Sequence, residues 1–144
     1  MSDVVVYDKA KWHFGGDYPA DLPPEYAYTH AGYFFGWIVD NNLVDPEFHD
    51  DFENEIGRFR DREISARELF IIADGALVDD MMSDIGNGFA VAYFDFDRGK
   101  YLDDYDSLLC VGCETMYHVE DTPENYARIC ARITERFHEW NVAK

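Results

Sequence analysis

From Ala27 to Val39 the chain carries no acidic or basic residue other than His30, and its apolar side chains recur at helical rather than alternating spacing. Ala27, Ala31, Phe34, Phe35 and Ile38 form one stripe, which Tyr26, His30, Tyr33 and Trp37 widen over much of the circumference. A helix that is apolar nearly all round must be covered on every side, so the rest of the chain has to fold around this one. Pro23-Pro24 opens it and Asn42 lies near its end. Gly32 and Gly36, four residues apart, allow a second backbone to approach closely. The apolar run is too short to span a bilayer.

Most of the remaining periodicity is helical as well. Asp45-Pro46-Glu47 is a helix start, and Phe48, Phe52, Ile56 and Phe59 fall on one stripe behind it. Glu47, Asp50, Glu53 and Asn54 take the opposite side, with Asp51 on the flank. Ser65 and Glu68 form a capping box for a third helix, with Ile64 as its staple and Gly75 as its end. Asp79 to Gly88 reads as a short helical turn and then a loop, followed by a helical stretch from Phe89 to Phe94. Tyr101 to Leu109 forms a further helix, and Cys110 to Val119 fits no single pattern. The last helix has Thr122 as N-cap and an apolar stripe of Tyr126, Ile129, Cys130, Ile133, Phe137 and Trp140. Asp3 to Tyr7 is β-prone, and Trp12 to Pro19 reads as an aromatic loop. The expected fold is therefore mostly α: a compact single domain over residues 1–144 with about five or six helices and a short N-terminal strand or extended arm.

Composition bounds the function. Aromatics make up 17% and hydrophobic residues 47% of 144 residues, enough for one packed core despite a formal net charge of −18. That charge excludes direct nucleic-acid binding and disfavours anionic membrane surfaces. Met1-Ser2-Asp3-Val4 has no basic stretch leading into an apolar one, which points to the cytoplasm. Three cysteines do not make a disulfide framework and agree with a reducing compartment. The charge is also segregated. Ten acids and no Lys or Arg lie between Trp12 and Gly57, and seven acids with no base lie between Glu68 and Asp97. Such a surface speeds encounter with a basic partner, although solubility alone also accounts for it.

Motifs for chemistry are weak. Cys110-Val111-Gly112-Cys113 has redox spacing without the βαβ setting that activates a thiol, and with His118 and Cys130 it lacks the second ligand pair of a zinc site, so inert thiols are expected. Asp95 to Asp106 resembles a calcium loop, but Lys100 stands where the sharp turn wants glycine. His13, His30, His49, His118 and His138 form no ligand pair at helical spacing. His30 reads as a hydrogen-bonded core histidine, and the loop with Trp12, His13 and Tyr18 as a cover for one end of the core. No catalytic residue, metal ligand or cofactor is expected.

Four segments, YDKAKWHFGGDYP (7–19), HAGYFFGWIVDN (30–41), GALVDDMMSDIGNGFAVAYFDFDRGKYLDDYDSLL (75–109) and YHVEDTPENYARI (117–129), resemble a family of small acidic bacterial proteins of unknown biochemical function. The likeness covers most of the chain. Proteins of this kind are similar to immunity proteins of polymorphic toxin systems, which occlude a cognate toxin. The resemblance implies a binding protein rather than an enzyme, with a basic toxin as partner and no assigned site residues. The charge pattern supplies the candidate contacts: Glu47, Asp50, Asp51, Glu53, Asp79, Asp80 and Asp84. Two other classes stay open. One is a nucleic-acid mimic, which needs carboxylates at phosphate-like spacing; the other is a divalent-metal or small-molecule site, which needs carboxylates converging near Trp12, His13 or His30. The oligomeric state is left open.

Overall fold

The computed structural model describes residues 5–14, 16, 18–95 and 99–143. In chain order its strands and α-helices are β1 (Val6–Lys9), α1 (Ala10–Phe14), α2 (Thr29–Asp40), α3 (Pro46–Asp51), α4 (Glu53–Arg60), α5 (Ala66–Ile72), β2 (Ala76–Val78), α6 (Asp84–Phe89), α7 (Tyr101–Leu109) and α8 (Pro123–Ala143). The fold is mostly α with a two-stranded antiparallel sheet.

The centre is α2, in which every residue from Thr29 to Val39 is buried. It starts later than expected. Pro23 is extended and Pro24–Tyr28 makes a 3₁₀ turn before the α-helix begins. The glycine pair does what its spacing suggests: α5 crosses so closely that a Cβ at Gly36 would stand 2.7 Å from Ala66 Cβ and 2.8 Å from the Tyr126 hydroxyl. On another side α8 covers α2. There Trp37 Nε1 donates to Thr134 Oγ1 at 3.0 Å, and the Phe137 ring lies 5.3 Å from Trp37. Phe89, Phe94 and Tyr101 close a third side, each within about 6 Å of the Phe34 ring.

Local signals account for most boundaries. The Ser65–Glu68 capping box is formed in full, and Asp45 Oδ2 accepts from the amides of Glu47 and Phe48 at the start of α3. The helix expected from Asp45 to Phe59 is instead two, because Phe52 leaves helical angles and stacks on Phe48 at 4.6 Å. Ile56 and Phe59 then turn into the core, while Phe48 and Phe52 are half-buried. Asp74 and Gly75 both have positive φ, which reverses the chain into β2. A side chain at Gly75 would collide with the Tyr28 ring, so glycine is required there for space as well as for conformation. The stretch from Phe89 to Phe94 divides between the end of α6 and a π-helical turn over Ala90–Phe94. No helix among the described residues is long and apolar enough to cross a membrane.

Candidate functional site

The β-prone N-terminal segment becomes β1, which pairs with β2 in the register Val6↔Val78, Asp8↔Leu77 and Lys9↔Ala76. Two residues of β1 span one step of β2 between Val6 and Asp8, a bulge of the kind that re-aims a side chain. Asp8 is the buried residue of β1, as is its partner Leu77 in β2. The segment expected to be an aromatic loop begins instead as α1, tied down by Ala10 N–H donating to the Gly75 carbonyl at 3.0 Å. Trp12 faces solvent and His13 turns inward. The first turn of α2 brings His30 to the same point, and a 3₁₀ turn at Met116–His118 brings Tyr117.

These residues make one network. Asp8 Oδ1 lies 2.8 Å from His13 Nε2, and Asp8 Oδ2 lies 2.6 Å from His30 Nε2. An ionised carboxylate only accepts, so both imidazoles donate to it. His13 Nδ1 lies 2.5 Å from the Tyr117 hydroxyl, and the two imidazole rings meet edge to face at 4.6 Å. The Tyr101 hydroxyl holds the backbone of α2 here by donating to the His30 carbonyl. Burial pushes the Asp8 carboxyl up, but the hydrogen bonds and charge of His13 and His30 outweigh it, so it titrates below the usual aspartate range. Among the described residues no Lys or Arg pairs with Asp8. One ligand atom from each of Asp8, His13 and His30 lies within 4.8 Å of the others, and the set could hold a metal ion or a shared proton.

His30 is thus the hydrogen-bonded core histidine its sequence context suggests. Asp8 went unrecognised. Its one signal was a carboxylate directly after the β-prone Asp3–Tyr7, and the bulge that buries it leaves no mark in the sequence.

The acidic candidates lie elsewhere. Glu47, Asp50 and Asp51 are exposed on α3 and Glu53 on α4. Asp80 and Asp84 are exposed on a 3₁₀ turn (Asp79–Met81) and at the start of α6. Leu43–Asp45 and Met81–Ser83 join through the bridge Val44↔Met82, with Asp45 N–H on Met81 O and Ser83 N–H on Leu43 O. That antiparallel pairing sets Asp45, the cap of α3, beside Met81, and Ser83, the cap of α6, beside Leu43. Asp79 differs: it is half-buried, and its Oδ1 is enclosed with no hydrogen-bond partner among the described residues.

Residues 6–119 match the family model for a domain of unknown function, DUF7832. The chain belongs to that family. No curated protein and no solved structure matches it. The DUF7832 span contains Asp8, His13, His30 and Tyr117 as well as the acidic candidates, and stops before α8.

Other features of this DUF7832 chain are accounted for structurally. Cys110 and Cys113 are joined by a disulfide, which corrects the expectation of free thiols there: Cys110 ends α7, and Gly112 at φ +82° turns the chain so that the two Cα atoms lie 5.1 Å apart. Cys130 is free, and burial pushes its thiol up to about 12. Of the calcium-like stretch, Asp97 lies outside the described residues. Asp104, from the same stretch, is turned inward to Tyr93, Arg132 and Arg136, and the chain from Tyr101 onward is helix rather than loop. A groove of about 740 Å³ lies between α2, α5 and α8. Two of its carboxylates are engaged, Asp40 with Arg62 and Tyr126, and Asp121 with Ser65 and Tyr33.

Proposed function

We propose that this chain is a binding protein of the immunity type, which neutralises a cognate bacterial toxin by covering a basic surface of it. The observation that carries this reading is the Val44↔Met82 bridge. It joins the segments that lead into α3 and α6, and the acids on both are exposed: Glu47, Asp50 and Asp51 on α3, Glu53 on α4, and Asp80 and Asp84 on either side of Met81–Ser83; the proposed contact edge is made of them. Ile85, which follows Asp84 in α6, is half exposed. An apolar anchor with a charged rim is the usual composition of a protein interface. The carboxylates supply steering, and Ile85 supplies contact area once the partner has docked. The toxin's Lys and Arg, which would serve its own anionic substrate, are the groups this edge complements.

The test is co-expression with the product of the neighbouring gene, followed by association kinetics at two salt concentrations. Protection from toxicity and a stoichiometric complex are expected. The triple variant Glu47→Gln, Asp50→Asn, Asp84→Asn should associate about tenfold more slowly at low salt and lose most of the salt dependence. Unchanged kinetics would remove this edge from the interface.

A further inference from the structure

We propose that Asp8, His13 and His30 form a binding site for a borderline divalent transition metal, with Zn²⁺ as the reference ion. The inference is independent of the partner surface and concerns the opposite kind of feature, a closed polar cluster rather than an exposed edge.

The donor set is the first argument. Two imidazole nitrogens and one carboxylate oxygen suit Zn²⁺, Co²⁺ or Ni²⁺, whereas Ca²⁺ and Mg²⁺ prefer oxygen alone. Geometry is the second. A tetrahedral zinc ion with bonds of about 2.0–2.2 Å holds its ligand atoms about 3.3 Å apart. Oδ1 of Asp8 lies 2.8 Å from His13 Nε2 and Oδ2 lies 2.6 Å from His30 Nε2, with a ligand atom of each residue within 4.8 Å of the others, so an ion is reached by side-chain adjustment in which the Asp8 contacts lengthen. The ion takes the Nε2 positions that bridge to Asp8: a neutral imidazole carries its ring proton on Nδ1 instead, and a cationic one releases its Nε2 proton to solvent and keeps that on Nδ1.

Charge is the third argument. Asp8 is 1% exposed and its partners are two imidazoles, which carry charge only when protonated, whereas a divalent cation compensates the carboxylate with both imidazoles neutral. The surroundings of His13 are the fourth. With Nε2 on the metal, its ring proton resides on Nδ1 and is donated to the Tyr117 hydroxyl, which fixes the ring as outer-shell acceptors commonly do. Three elements converge on the point, and α1 carries the one ligand open to solvent: the His13 side chain is 12% exposed against 2% for His30. Three protein ligands leave a fourth position for water or a small anionic ligand, approached past His13.

The experiment titrates metal-stripped full-length protein with Zn²⁺ in competition with a chelator of known affinity, and with Co²⁺ read by its visible spectrum. One ion per chain and a raised thermal midpoint are expected. His13→Gln and Asp8→Asn should weaken binding by more than the about 10–100-fold expected of Tyr117→Phe. The pair Cys110→Ser, Cys113→Ser and the pair Glu47→Gln, Asp50→Asn should bind as the parent does. Absence of stoichiometric binding, or equal affinity in His13→Gln and the parent, overturns the site. If the ligand variants do not fold, X-ray absorption on the zinc-loaded parent decides. A shell of two imidazoles with oxygen supports the site, and sulfur or oxygen-only coordination overturns it.

Discussion

Arg136 of α8 grips the buried Asp104 of α7 with two nitrogens, Nε at 2.9 Å from Oδ2 and a terminal nitrogen at 3.0 Å from Oδ1. Arg132 and the Tyr93 hydroxyl complete the carboxylate's contacts at 3.1 and 2.7 Å. Burial raises the Asp104 carboxyl, and the Arg136 and Tyr93 hydrogen bonds with the arginine charges more than reverse this, so it titrates below the usual aspartate value. A carboxyl depressed by folding contributes stability that is fully present above about pH 4 and is lost as pH falls through its folded value. Asp104→Asn should therefore cost about 2–4 kcal/mol at neutral pH, with the lower part favoured because both guanidiniums reach solvent. It should also reduce the loss of stability on acidification below pH 4. Urea unfolding of both proteins between pH 7 and pH 2.5 checks this; parallel pH profiles would contradict it.

Tyr33 is a junction rather than a filler. Its hydroxyl donates to Asp121 Oδ1 at 2.9 Å and accepts from Thr122 N–H at 3.1 Å, which ties α2 to the residues that lead into α8. Tyr33→Phe preserves the ring and leaves that amide unpaired, at a cost of about 1–3 kcal/mol. Tyr126→Phe removes a hydrogen bond to Asp40, which keeps its pair with Arg62, and should cost less. Equilibrium denaturation of the two variants side by side gives the order, and the reverse order would refute it.

How much of this was legible follows from the range of each signal. The caps at Asp45, Ser65 and Thr122 act within three or four residues and could be read directly, as could the apolar stripe of α2. The break at Phe52 was not legible, because it depends on ring packing that no local pattern encodes. β2 was hidden for another reason: Ala76–Val78 is three residues long and exists as a strand because β1 pairs with it. Asp8 was obscured most thoroughly, since its partners lie on α1 and α2, and the Tyr117 that holds one of them, His13, lies more than a hundred residues further on. The acidic residues were conspicuous in the sequence, but the long-range Val44↔Met82 bridge between the segments that lead into α3 and α6 was not.

Gly36 tests the closeness of α5 and α8 to the central helix. An added methyl group would meet Ala66 Cβ at 2.7 Å and the ring and hydroxyl of Tyr126 at 3.0 and 2.8 Å. Neighbours on two different helices would have to shift, so the gain in helix propensity from Gly36→Ala is outweighed and the net loss is about 1–3 kcal/mol. Gly57→Ala is the control. It is also helical, but a methyl group there meets nothing within 4 Å, and a stability gain of about 0.5–1 kcal/mol is expected. Thermal unfolding of both variants decides the matter.

Cysteine chemistry gives the last prediction. Cys130 lies on α8 beside Tyr126, in contact with the core, and burial raises its thiol from 9.0 to about 12. At pH 8 its thiolate population is about a thousandfold below that of an ordinary cysteine, because each unit of pKa is a factor of ten. Cys110 and Cys113, joined to each other, present no thiol until they are reduced. The folded protein without reductant should therefore resist iodoacetamide at pH 8, acquiring a single adduct, at Cys130, only after denaturation. Reduction before labelling should add modification at Cys113, which is half-buried, ahead of Cys110, which is buried. Peptide mass spectrometry resolves the three positions. Rapid labelling of Cys130 in the native state would show that α8 separates from α2 far more readily than the Trp37–Thr134 and Tyr33–Thr122 hydrogen bonds imply.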